Sequence, residues 1–115
     1  MSEPVDPQDV SKAMEAIKEK AAAGEYRLSL HAVQERIEDG ISTEQLEQAL
    51  SSGQILENYP EAERGACCLV GGSTSEGRPV HVVCTTTLET MVIITVYEPK
   101  LPWWETPARR SQRRR

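Results

Sequence analysis

The spacing of apolar residues changes period once along the chain, at Gly53, and that change limits what the chain can fold into. Before it, apolar residues recur at three- and four-residue steps; Val10, Ala13, Met14, Ile17 and Ala21 fall on one arc of a helical wheel. After it, β-branched residues become common and the period drops to two. Helices first and strands afterwards predict an α+β fold, with N-terminal helices packed on one face of a four-stranded antiparallel meander sheet. Helices are expected over 8–23 and 30–39, and from Ser42 until Gly53. Ser29 caps the second helix, and Ser42 with Gln45 forms a capping box on the third. Strands are expected over 54–59, 66–72, 79–86 and 90–97, with 25–29 read as a connector. Only Thr87, Leu88 and Glu89 separate the last two strands, and so short a link favours antiparallel neighbours.

At 115 residues the chain suits one domain. The boundaries read as a flexible lead-in over 1–7, a single α+β domain over 8–104 and a basic, disordered tail over 105–115, with no internal repeat. There is no Phe, so the core must be aliphatic. Trp103 and Trp104 either close an edge of that core or anchor a partner. The net charge is −5, yet five of the 13 basic residues (Arg109, Arg110, Arg113, Arg114, Arg115) crowd the C-terminus and all 18 acidic residues precede them. An acidic body is repelled by phosphate backbones, which disfavours a stand-alone nucleic-acid binder unless the tail or a local patch does the work. No apolar run approaches the ~18 residues of a membrane-spanning helix, and the acidic N-terminus lacks a signal peptide's features. A cytoplasmic protein with no membrane association and three reduced thiols is expected.

Candidate chemistry gathers first in 29–42. On a helical wheel Ala32, Val33 and Ile37 define an apolar arc on the side away from His31, and Arg36 falls inside that arc, between Ala32 and Val33. A guanidinium there must find acceptors, either as a structural tie to carbonyls or a carboxylate, or as the lining of an anion pocket. His31 has Glu35 one turn later, a spacing that can orient an imidazole for acid–base work or simply mark a helix-entry histidine. In the sheet, Val80, Val82 and Cys84 are expected to face the helices, leaving His81, Thr85, Thr95 and Tyr97 on the open face; in the last strand Val92, Ile94 and Val96 are expected opposite Met91, Ile93, Thr95 and Tyr97. That set could bind phosphate and move protons, or be an ordinary solvated face. Cys67, Cys68, His81 and Cys84 are soft ligands but alternate between faces, so no metal is expected. No cofactor motif is present.

Ser29-Leu30-His31-Ala32, Glu35-Arg36, Gly40-Ile41-Ser42, Gly53-Gln54-Ile55, Tyr59, Gly77 to Val83 and Ile94 to Pro99 together resemble the DUF4258 family of small prokaryotic proteins. The likeness runs from about Arg27 to Arg110. It implies an α+β fold similar to RelE-type toxins, a group of metal-independent ribonucleases, with RNA as substrate and a small antitoxin protein as partner. On that likeness His31, Arg36, Thr95 and Tyr97 occupy the family's most recognisable polar positions. The catalytic candidates are then His31, Arg36, His81 and Tyr97, and the substrate-binding candidates Arg78, Thr95, Arg109 and Arg110. One departure stands out: the family often has a second Arg just before the Gly-Ile-Ser turn, where this chain has Asp39. The alternatives are a non-catalytic protein-binding module and a binder of a small anionic ligand.

Overall fold

The computed structural model describes residues 8–63, 65–100, 104–106 and 109–110. Three helices come first: α1 (Val10–Ala23), α2 (Leu30–Glu38) and α3 (Thr43–Ser52). Asp9 caps α1 by accepting from Lys12 N, Ser29 caps α2 by accepting from Ala32 N, and Ser42 and Gln45 form the capping box of α3. Between α1 and α2 lies a short strand, β1 (Tyr26–Leu28). After α3 come β2 (Gln54–Tyr59), β3 (Cys67–Ser73), β4 (Pro79–Thr85) and β5 (Met91–Tyr97). The sheet order is β1-β5-β4-β3-β2.

The expected meander is present in β2 to β5, but the sheet is five-stranded and mixed, because β1 adds in parallel to the edge of β5 with Tyr26 opposite Met91 and Leu28 opposite Ile93. From sequence that stretch reads as a connector, since three residues are too short to display a period of two. What makes them a strand is the free edge of β5, about 65 residues away, which no local pattern reports.

All three helices share one core with one face of the sheet: Ile17 and Ala21 from α1, Ala32 from α2, Leu46, Ala49 and Leu50 from α3, against Val70, Val80, Val82, Met91, Ile93 and Val96. The α3–β3 contact is close. A Cβ on Gly72 would lie 1.9 Å from the Ala49 carbonyl oxygen, so only glycine lets this helix sit on this strand.

Bulges in two strands change which side chains share a face. In β5 the register steps from Cys84–Ile93 to Val83–Thr95, leaving Ile94 as the extra residue. Met91 and Ile93 therefore join Val96 in the helix-side core, contrary to the strict alternation expected from sequence. In β2, Leu56 is the extra residue. The lead-in over 1–7 and most of the tail expected over 105–115 lie outside the described residues, as does Trp103. At that end the backbone of β6 (Trp104–Thr106) pairs antiparallel with β7 (Arg109–Arg110).

Candidate functional site

The β4–β5 ladder places His81 directly opposite Tyr97, with Val83 opposite Thr95 two pairs along, on the sheet face that carries no helix among the described residues. His81 Nδ1 and the Tyr97 hydroxyl are 3.2 Å apart and the rings meet edge to face, centroids 5.3 Å apart. On the other side of His81 stands Gly71, and a Cβ there would lie 2.6 Å from the Leu56 side chain, so the β2 bulge fills the space that glycine leaves. His81 is 1% exposed, while Tyr97 is half-buried. The pair is pre-formed, and Tyr97 is its less buried member. Thr85, also expected on this face, is buried, and its Oγ1 accepts from Val92 N.

The other expected participants lie elsewhere. Arg36 does enter the seam between α2 and the sheet, but on the opposite, helix-bearing side: Nη1 donates to the Ile41 carbonyl at 2.9 Å. Its Nε is buried with no hydrogen-bond partner among the described residues. Its charge is felt by the phenol of Tyr26, which donates to Glu47. Burial first, and then Glu47, push the Tyr26 phenol up from its ordinary 10.0 to about 12, with Arg36 pulling the other way. Of the two roles the wheel leaves open for Arg36, the structure supplies contacts for the tie.

Arg78 is likewise engaged. Its guanidinium donates to the Asp39 and Gly40 carbonyls at the C-terminus of α2 and to Glu98 Oε1 at 2.6 Å. This cation both caps the helix end and ties it to the end of β5. Arg109 and Arg110 lie on β7, away from the five-stranded sheet in hydrogen bonding.

His31 Nε2 is 3.1 Å from Glu35 Oε1, as the one-turn spacing predicts, and the imidazole is exposed. Glu35 has a second task that sequence reasoning missed: the same carboxylate oxygen accepts from Val96 N at 3.2 Å. Asp39 Oδ2 accepts from Glu98 N at 2.9 Å, and Ser29 Oγ donates to the Ile94 carbonyl at 2.9 Å. Since β1 stops at Leu28, the rest of the β5 edge has no strand partner there among the described residues, and three side chains at the N-cap, middle and C-cap of α2 bond its backbone groups instead. The spacing fits: four residues of helix rise about 6 Å and two residues of strand about 6.6 Å, so Glu35 and Asp39 meet Val96 and Glu98. A pair of acids at i and i+4 after a short strand is the sequence signal that could have announced this. It also accounts for Asp39, the departure from the family pattern: it is a backbone acceptor.

The sheet divides the four soft ligands. Cys68 and Cys84 face each other in the helix-side core, and His81 lies on the other side. The Cys68 thiol, and then burial, push the Cys84 thiol well above the usual thiol range.

Residues 28–98 match the family model described as a domain of unknown function, DUF4258. The chain belongs to this family. The matched stretch of the DUF4258 chain runs from the end of β1 to the residue after β5, so it includes every strand and helix that positions the His81–Tyr97 pair, and excludes α1. No curated protein and no solved structure matches the chain. Among the described residues no helix is long and apolar enough to cross a membrane, and no group of three or more His, Cys, Asp or Glu could hold a metal ion.

Proposed function

We propose that this DUF4258 protein is a RelE-like, metal-independent endoribonuclease, the toxin of a toxin–antitoxin pair, working at His81 and Tyr97. One observation supports the reading: a histidine and a tyrosine within hydrogen-bond distance at 3.2 Å, the histidine 1% exposed and the tyrosine half-buried. Metal-free RNA cleavage needs a group to take the 2′-hydroxyl proton as the 2′-oxygen bonds to phosphorus and the bond to the 5′-oxygen breaks. Tyr97 passes its proton to His81 Nδ1 as it receives that of the 2′-hydroxyl; the departing 5′-oxygen takes a proton from water, and the hydroxide left behind is neutralised by the proton held on His81. Thr95, on the same face, is a hydroxyl contact for the substrate. With Arg36 and Arg78 bonded to carbonyls and to Glu98, the phosphate charge falls to Arg109, Arg110 and the other C-terminal arginines.

The same commitment of Arg36 and Arg78 favours a second reading, a binding module without catalysis. Induced expression separates the two. The nuclease reading expects arrested growth, relieved by Tyr97→Phe in a protein whose circular dichroism is unchanged. Arrest that persists in Tyr97→Phe, or normal growth with the unmodified chain, would contradict it.

A further inference from the structure

The wheel of α2 places Val33 and Ile37 on the arc that should be buried, and the structure reverses this. Ala32 is the buried residue of α2, and Leu30 and Ile37 are 75% and 67% exposed, the two most exposed large apolar side chains among the described residues. The small Ala32 lets α2 approach β5 closely enough for Glu35 and Asp39 to reach its backbone, and this turns the bulky side chains outward. Leu30, the half-buried Val33 and Ile37 fall at i, i+3 and i+7, so they form one ridge along the solvent side of the helix. The other exposed apolar residues, Val10, Tyr59 and Leu88, are on separate elements and make no such row.

We infer that this ridge docks an amphipathic, basic helix of a partner protein. A nine-residue helix is about 13.5 Å long, which matches two to three turns of a second helix laid along it. Charge favours a cationic partner over a second copy: Gln34 and the acid Glu38 flank the ridge on one side, Arg36 on the other is bonded to the Ile41 carbonyl, and the chain carries −5 overall with its arginines concentrated at the far C-terminus. Two such bodies repel, whereas Lys or Arg flanking an apolar stripe is attracted. The surface is independent of the His81–Tyr97 pair.

The test uses the full chain and a fluorescein-labelled synthetic helix of about 18 residues with Leu at i, i+3 and i+7 and Lys or Arg elsewhere, read by anisotropy. Saturable binding is expected, weakened at least about tenfold by Leu30→Ser with Ile37→Ser, by exchanging the peptide's cations for Glu, and progressively by added salt. Both replaced residues are largely exposed, so the variant keeps its fold by circular dichroism. The inference is overturned by no saturation at about 1 mM, by equal binding to the variant, or by equal binding of the acidic peptide. It is also overturned if sedimentation shows a dimer that the double variant dissolves, since the occupant would then be a second copy.

Discussion

Arg36, Arg78 and Asp39 illustrate how a charged residue's type can be legible while its partner is not. A helical wheel is enough to send Arg36 into the seam beside the sheet, because position on a helix is a local property. Its acceptor, the Ile41 carbonyl, is created by the turn after α2, and the acceptors of Arg78 lie 38 and 39 residues away in sequence. Removing the Arg78 guanidinium strands a half-buried Glu98 carboxylate and two helix-end carbonyls. Arg78→Ala is expected to lower stability by roughly 1–3 kcal/mol in urea denaturation; a change under about 0.5 kcal/mol would mean that the tie is not made. Tyr26 gives a pH prediction. Its phenol is raised to about 12 in the folded chain against 10.0 when free, so folding favours the protonated form. The associated stability is complete below pH 10 and is lost as pH rises through 12. Titration of phenolate absorbance should find that the late ionisation of Tyr26, identified by its loss in Tyr26→Phe, moves to lower pH in Glu47→Gln; an unmoved midpoint would show that Glu47 does not act on it.

The most unusual element is α2, a helix whose side chains stand in for an edge strand. Glu35 and Asp39 take the amides of Val96 and Glu98, and Ser29 takes the carbonyl of Ile94. Native-state hydrogen exchange should find the Val96 and Glu98 amides protected. Glu35→Ala should accelerate exchange at Val96, and Asp39→Ala at Glu98, each by about tenfold or more, with other β5 amides little changed. Exchange unaltered in both variants would mean that the edge is satisfied in some other way. The three helices and β2 to β5 are readable from sequence, with ends off by one or two residues, because capping residues and period are local. Two features are hidden for the same physical reason. β1 is a strand only because β5 offers it an edge, and the bulge at Ile94 moves Met91 and Ile93 onto the helix side without any mark in the alternation itself. The direction of β4, which has no shift before Val83, follows strict alternation, so the grouping of His81 with Tyr97 and Thr95 can be read in advance.

For the whole molecule, the sheet is a partition. It keeps Arg36, Tyr26 and Glu47 with the helices and gives His81, Tyr97 and Thr95 the other face, so the expected four-residue constellation resolves into one pair, one exposed His31–Glu35 contact and one structural arginine. On the proposed reading, cleavage runs through the pair and takes its cations from the C-terminus. The direct test is single-turnover cleavage of an end-labelled RNA in excess EDTA, comparing the full chain with Tyr97→Phe. Fragments ending in a 2′,3′-cyclic phosphate are expected, formed about 100-fold or more slowly by the folded Tyr97→Phe variant. Intact RNA with the unmodified chain, or equal rates for the two proteins, would refute cleavage through this pair.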